Sequence, residues 1–296
     1  MDHDPNVSSP DERRPIGRAL RAAATGLLFL PLGSAAASAQ TATHPEDDEV
    51  VDVELVLAVD VSLSMSPMEL EIQRDGYAAA LVHENVVQAI RDGVHGKIAV
   101  TYFEWAGDFT QRIVVPWTRI GSLGEAEAFV EQMTATPPRS ARRTSISGGL
   151  AFAEGLFEDN GFRGMKRVID ISGDGPNNQG AQVDVTRDGI VEKGITINGL
   201  PLMTRSGFST VYDVKDLDIY YENCVIGGPG AFVIPVNDWS QFPEAIRRKL
   251  VLELAGLVPA PRERSGPPVQ LVAATADYDC LIGEKIWQNR SRIWEN

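Results

Sequence analysis

Apolar residues along this chain alternate between two rhythms. Short β-rich runs read as strands buried on both faces, and between them apolar positions recur at helical spacing. Val53–Val59 is the first such strand, followed by a long helix over 67–91 in which Leu70, Tyr77 and Leu81 share a face. Lys97–Phe103 and Gln111–Val115 read as the second and third strands, and their short connection predicts an antiparallel hairpin. Helices are expected over 126–133 and 146–157, then a strand Arg167–Ile171, a helix over 183–193 and a strand Ile195–Leu200. Ala231–Val236 is the sixth strand, closed by a helix over 239–254. Strands separated by helices predict an α/β fold: a doubly wound, mostly parallel six-stranded sheet with one antiparallel edge strand and helices on both faces. Ligands in such sheets bind beyond the carboxyl ends of the strands, near the switch in strand order.

Both ends of the chain break this rhythm. Arg13, Arg14, Arg18 and Arg21 precede an apolar run, Ala22–Leu32, and then small residues ending Ala37-Ser38-Ala39. That order of basic, apolar and Ala-x-Ala segments predicts a secretory signal peptide over 1–39, and hence a periplasmic or secreted product. Pro31 and Gly33 interrupt the run, which falls short of the roughly 20 apolar residues that span a bilayer. An acidic linker (40–50) leads into the domain (51–256). A Pro-rich linker (257–276) leaves it, and a segment over 277–296 carrying Leu281, Ile282, Ile286 and Trp287 is expected to dock back.

Composition narrows the function. With 43% hydrophobic and 23% charged residues the chain is built to fold, not to stay disordered. The formal net charge is -14, and losing residues 1–39 removes four acids and four bases, so the surplus persists. Such a surface repels nucleic-acid backbones and anionic membranes. Two distant cysteines exclude zinc ribbons, iron–sulfur clusters and CxxC chemistry. In an oxidising compartment Cys224 and Cys280 are expected to pair, fixing the tail to the domain.

Three loops carry the candidate chemistry. Asp60-Val-Ser62-Leu-Ser64 ends the first strand, Thr144 precedes a helix, and Asp174-Gly175 follows the fourth strand. Together Asp60, Ser62, Ser64, Thr144 and Asp174 offer two carboxylates and three hydroxyls. That all-oxygen set suits Mg²⁺ or Mn²⁺ in preference to Ca²⁺. Taken singly, each loop reads equally as helix-cap or turn chemistry.

In this order the loops resemble the metal-ion-dependent adhesion site of the von Willebrand factor A family, Asp-x-Ser-x-Ser, then Thr, then Asp-Gly. The resemblance covers roughly residues 50–256. Phe103–Ala106, Ser172–Gly180 and Cys224–Gly230 are similar to an uncharacterised bacterial branch of that superfamily, a domain of unknown function. It implies a Rossmann-like fold and protein recognition in place of catalysis, a partner's acidic side chain completing the metal shell. Family members often have Gly-Gly before the threonine, whereas this chain has Arg142-Arg143, two cations placed to meet an anionic partner.

Other functions find less support. No Gly-x-Ser-x-Gly elbow, P-loop or dinucleotide fingerprint occurs. His83, on the expected long helix, and His95, in the turn after it, read as surface or capping residues. A dehalogenase-type phosphatase would need Asp where Ser62 stands, so a metal-dependent hydrolase ranks last, behind a scaffold that keeps the fold without a working metal. Glu104 and Trp105 end the second strand; Trp105 reads either as a partner anchor or as core.

Overall fold

The computed structural model describes residues 48–204, 214–255, 270–271 and 278–294. The expected signal peptide and nearly all of both linkers lie outside the described residues. β1 (Glu49–Asp60) is buried on both faces and lies inside the sheet. It pairs in parallel with β2 (Ile98–Trp105) on one side and β4 (Phe162–Gly173) on the other. β3 (Gln111–Ile120) returns antiparallel to β2 as the edge, with a register shift near Val100–Phe103. β5 (Ile195–Pro201) and the two-residue β6 (Phe232–Val233) extend the parallel side. The sheet order is β3-β2-β1-β4-β5-β6-β7. β7 (Gln270–Leu271) is an addition to the expected six strands: it comes from the segment read as a linker and pairs antiparallel to β6.

Alternation along β1 divides the core in two. Val53, Leu55, Leu57 and Val59 face one layer. There they meet α1 (Pro67–Leu81), α2 (Glu84–Arg91), α3 (Leu123–Thr134) and α7 (Phe242–Ala255). Val56 and Ala58 face α4 (Ile146–Gly155), α5 (Val183–Glu192) and the short helix α6 (Leu217–Tyr220), which tightens into a π-turn over Tyr221–Val225. A last helix, α8 (Ile282–Trp294), docks its first turns on this second layer through Ile282 and Cys280. Among the described residues no helix is long and apolar enough to cross a membrane.

Local chemistry sets the helix starts. Ser66 caps α1 with a capping box closed by Glu69, and Pro67 occupies the first helical position. The single helix expected over 67–91 is instead two. Val82 ends α1, and His83 takes an extended conformation and accepts from Asn85 N–H at 3.1 Å as the N-cap of α2. His83 therefore does not ride on a continuous helix; it punctuates one.

The first layer hides a polar core beneath α7. Lys249 on α7 is 0% exposed, ion-paired to Asp170 of β4 at 2.7 Å and to Glu253 one turn on. Asn198 of β5 donates to Glu253 at 3.0 Å and accepts from the Phe232 N–H at 3.2 Å. Burial pushes the Glu253 carboxyl up to about 7 and raises Asp170 as well, because one ammonium does not offset two desolvated acids.

Candidate functional site

Parallel strands put β1 and β4 side by side with their carboxyl ends at one edge, and strand order reverses between them. Asp60 and Asp174 therefore emerge next to each other. Three sets of hydrogen bonds then sew the loops together. Leu63 N–H donates to the Ala141 carbonyl (2.9 Å) and Ala141 N–H to the Val61 carbonyl (3.0 Å), joining the first loop to the second. Asn178 N–H donates to the Thr144 carbonyl (2.8 Å) and Thr144 N–H to Asn178 Oδ1 (3.1 Å), joining the second to the third. Ser64 Oγ donates to Asp174 Oδ1 at 2.7 Å, joining the third to the first.

Within this ring the oxygens crowd. Ser62 Oγ lies 2.9 Å from Ser64 Oγ, and Ser62 N–H donates to Asp60 Oδ1 at 2.7 Å. Asp60 Oδ2 is buried with no hydrogen-bond partner. Burial first, and then the charge of Asp174, hold the Asp60 carboxyl well above the usual carboxylate range, against the donation from Ser62. Beneath it stands the Tyr221 hydroxyl, also buried without a hydrogen-bond partner. Both atoms press on Gly173, where a Cβ would come within 2.8 Å of Tyr221 Oη and 3.0 Å of Asp60 Oδ2. Among the described residues no three His, Cys, Asp or Glu side chains gather as a metal-ligating group. A cation held here would draw on the hydroxyls as much as on the acids. The orphaned Asp60 oxygen is what such an ion would satisfy, so the donor set fits a hard cation.

Residues that the sequence did not single out hold the ring from behind. Gln73 of α1 donates to the Asp60 carbonyl at 2.9 Å and accepts from Ser172 Oγ at 3.2 Å. Asn177 is fully buried: its Oδ1 accepts from Ser147 N–H at 3.0 Å, and its own N–H donates to Tyr220 Oη at 3.1 Å. Asn177 falls inside the Ser172–Gly180 phrase, but its contacts with Ser147 and Tyr220 leave no periodic signal.

Two candidate partner contacts are corrected. Trp105 is 0% exposed and packs against Gly149 of α4, so it is core and not an anchor. Glu104 is equally buried, ion-paired to Arg74 and, at 2.5 Å, to Arg112. β2 reaches the edge beneath the loops, and its last residues are roofed by them. The two arginines part company. Arg142 is exposed, while Arg143, half-buried and left-handed at φ 75°, lays its guanidinium 3.5 Å over the Trp287 ring of α8. Cys224 and Cys280 are joined in a disulfide.

The sheet order, the helices on both faces and the loops at the switch point make a von Willebrand factor A-like fold. The chain belongs to the family described as "Protein of unknown function (DUF1194)", which matches residues 49–258. The pilus adhesin SpaC from Lactobacillus rhamnosus GG, in its open conformation, is 13% identical over 70% of this chain and 31% of its own, with a TM-score of 0.50. A von Willebrand factor type A protein from Catenulispora acidiphila is 15% identical over 69% of this chain and 43% of its own (TM-score 0.43). Proximal thread matrix protein 1 from the mussel byssus, with a zinc-occupied MIDAS motif, is 18% identical over 70% and 49% (TM-score 0.48). The chain spans about half the length of these proteins or less, and the likeness is one of fold. No curated protein matches the chain.

Proposed function

We propose that this is an exported protein that binds a divalent cation, Mg²⁺ or Mn²⁺, through Asp60, Ser62, Ser64, Thr144 and Asp174, and recognises a protein partner through it. The observation that carries the reading is the buried Asp60 Oδ2, without a hydrogen-bond partner and repelled by Asp174 inside a cradle of hydroxyls. A buried carboxylate left so is costly unless a cation completes it. A bound cation would supply an open coordination position for a carboxylate of the partner, and would let a strongly acidic protein accept an acidic side chain. The chain's own part is to place the oxygens: Ser62 and Ser64 by the turn after β1, Thr144 by its backbone pairing to Asn178, and Asp174 by Ser64.

The rim supports a protein partner. Leu63 (58% exposed), Met68 at the start of α1 and Phe109 (91% exposed) at the β2–β3 turn present large apolar groups on the loops of the same edge, beside the exposed Arg142. Apolar groups of that size around a polar centre suit a protein surface. Export is supported by the Arg-rich, apolar and Ala-x-Ala order of 1–39 and by the disulfide, which persists in oxidising compartments.

Calorimetric titration of the purified protein with Mg²⁺, Mn²⁺ and Ca²⁺ tests the reading, with Asp60→Ala as control. Saturable binding in the wild type and none in the variant is the expected result. No binding of any of the three ions would leave the scaffold reading, which the Ser64–Asp174 hydrogen bond favours by closing the ring with protein atoms alone.

A further inference from the structure

Helix α8 lies beyond the sheet and its crossovers, yet it is fastened to the loops of the candidate site at three points. Glu284 Oε1 accepts from Asn177 Nδ2 at 2.7 Å, in the third loop. Gly283 packs so closely on the same residue that a Cβ there would stand 2.0 Å from the Asn177 carbonyl oxygen. Trp287, one turn on, lies under the Arg143 guanidinium, immediately before Thr144 in the second loop. Behind these contacts the Cys224–Cys280 disulfide ties the start of α8 to the π-turn, and Tyr278 meets Tyr220 edge-on with ring centroids 6.1 Å apart.

Asn177 transmits the docking. Its side chain divides its bonds between α8 (Glu284), the turn after the loop (Ala181 carbonyl, 3.1 Å) and the start of α4 (Ser147). Asp174 sits three residues before it and Thr144 three residues before Ser147. Arg143 holds a left-handed conformation that costs a non-glycine residue energy and persists where surroundings fix it. Stacking on Trp287 is such a constraint.

We propose that α8 is a disulfide-anchored clamp that positions the second and third loops and so sets the cation affinity of the site. The inference rests on the cation reading above and adds its control. Oxygens held in place before the ion arrives bind it more tightly than oxygens that must first be ordered. Loss of groups that orient metal ligands typically weakens binding about 10- to 100-fold.

The test uses the full chain in three forms: oxidised wild type, Trp287→Ala, and wild type treated with a dithiol. The dithiol passes two electrons and two protons to the Cys224 and Cys280 sulfurs and leaves as its own disulfide. Hydrogen exchange in metal-free protein is read over 142–148 and 174–180, with β1 as internal reference, and Mn²⁺ affinity is measured by calorimetry. Expected are faster exchange in both loops, unchanged exchange in β1, and Mn²⁺ affinity lower by about 10- to 100-fold when the clamp is released. Loops that keep their protection after reduction and after Trp287→Ala overturn the clamp, as do loosened loops with unchanged Mn²⁺ affinity. A wild type that binds none of Mg²⁺, Mn²⁺ and Ca²⁺ removes the cation reading and the affinity control with it, while exchange still decides whether α8 holds the loops. Reduction of folded protein keeps the test open if Trp287→Ala does not fold.

Discussion

Ser64 Oγ donates to Asp174 Oδ1 across 2.7 Å, closing a loop of 110 residues at the carboxyl edge of the sheet. The bond occupies one oxygen of Asp174 and leaves Asp60 Oδ2 without any partner. Two acids share one ring of hydroxyls, the charge of each opposing that of the other, and the balance of the site can be measured.

Asp60→Asn should abolish any cation-dependent stabilisation while leaving the metal-free protein at least as stable as wild type, since it removes a buried, repelled charge. For the wild type at 100 times Kd, binding is worth about 2.7 kcal/mol. In a domain of this size that raises Tm by about 5–10 °C. Thermal melts with Mg²⁺ and with chelator, run on both proteins, read both effects. A variant that keeps the full Mg²⁺ shift would place the ion elsewhere.

Thr144→Ala should weaken partner capture without unfolding the domain, because its backbone bonds to Asn178 survive the substitution. Chelator should release the partner from wild type. A pull-down from periplasmic extract, with and without chelator, measures this. A complex that persists unchanged in excess chelator contradicts capture through a metal.

Stability of the metal-free protein should fall as pH rises from about 4.5 to about 7. The Glu253 carboxyl sits at about 7 in the fold against 4.5 for an ordinary glutamate, so over that interval the folded state holds the extra proton. Lys249, Asp170 and Asn198 are the groups packed against it. The lowered carboxyls, Glu125, Asp238 and Asp279, act in the opposite sense and at lower pH. Urea melts across this range should slope downward, and Glu253→Gln should flatten the slope. Lys249→Met should instead cost about 3–5 kcal/mol at neutral pH, as the loss of one member of a buried ion pair does.

Reduction should also lower global stability. The bond joins residues 56 apart, and a loop of that length is worth about 4 kcal/mol on the chain-entropy estimate. Denaturant melts with and without a dithiol give the difference. Alkylation of denatured, unreduced protein should find neither cysteine free.

The strands and the ring of loops were legible because they leave local marks. β1, β2, β4 and β5 are short apolar runs; Asp60, Ser62, Ser64 and Asp174 fall where such strands end, and Thr144 falls just before a helix. What was hidden depends on partners far away in sequence. Lys249 and Glu253 look like a solvated pair one turn apart on α7, and only the acid inside the apolar run Val168-Ile-Asp170-Ile171 hints that a cation is buried above it. Trp105 is buried by α4, a cover that nothing near it in sequence announces. The break at His83 has no glycine or proline to announce it, since the histidine side chain itself does the capping. Arg143 read as an open charge because its aromatic partner lies 144 positions later.

The short strand β7 has a consequence for how the protein behaves in a crowded compartment. A sheet whose last strand is bare offers unpaired N–H and C=O groups to any neighbour that can add a strand. Here β7 lies across β6 at one border. At the other, β3 carries an exposed Pro116, which has no N–H to donate, and an exposed Arg119. Among the described residues, neither border gives a second molecule a long, flat row of free backbone groups. Borders of this kind disfavour strand-by-strand addition of further copies.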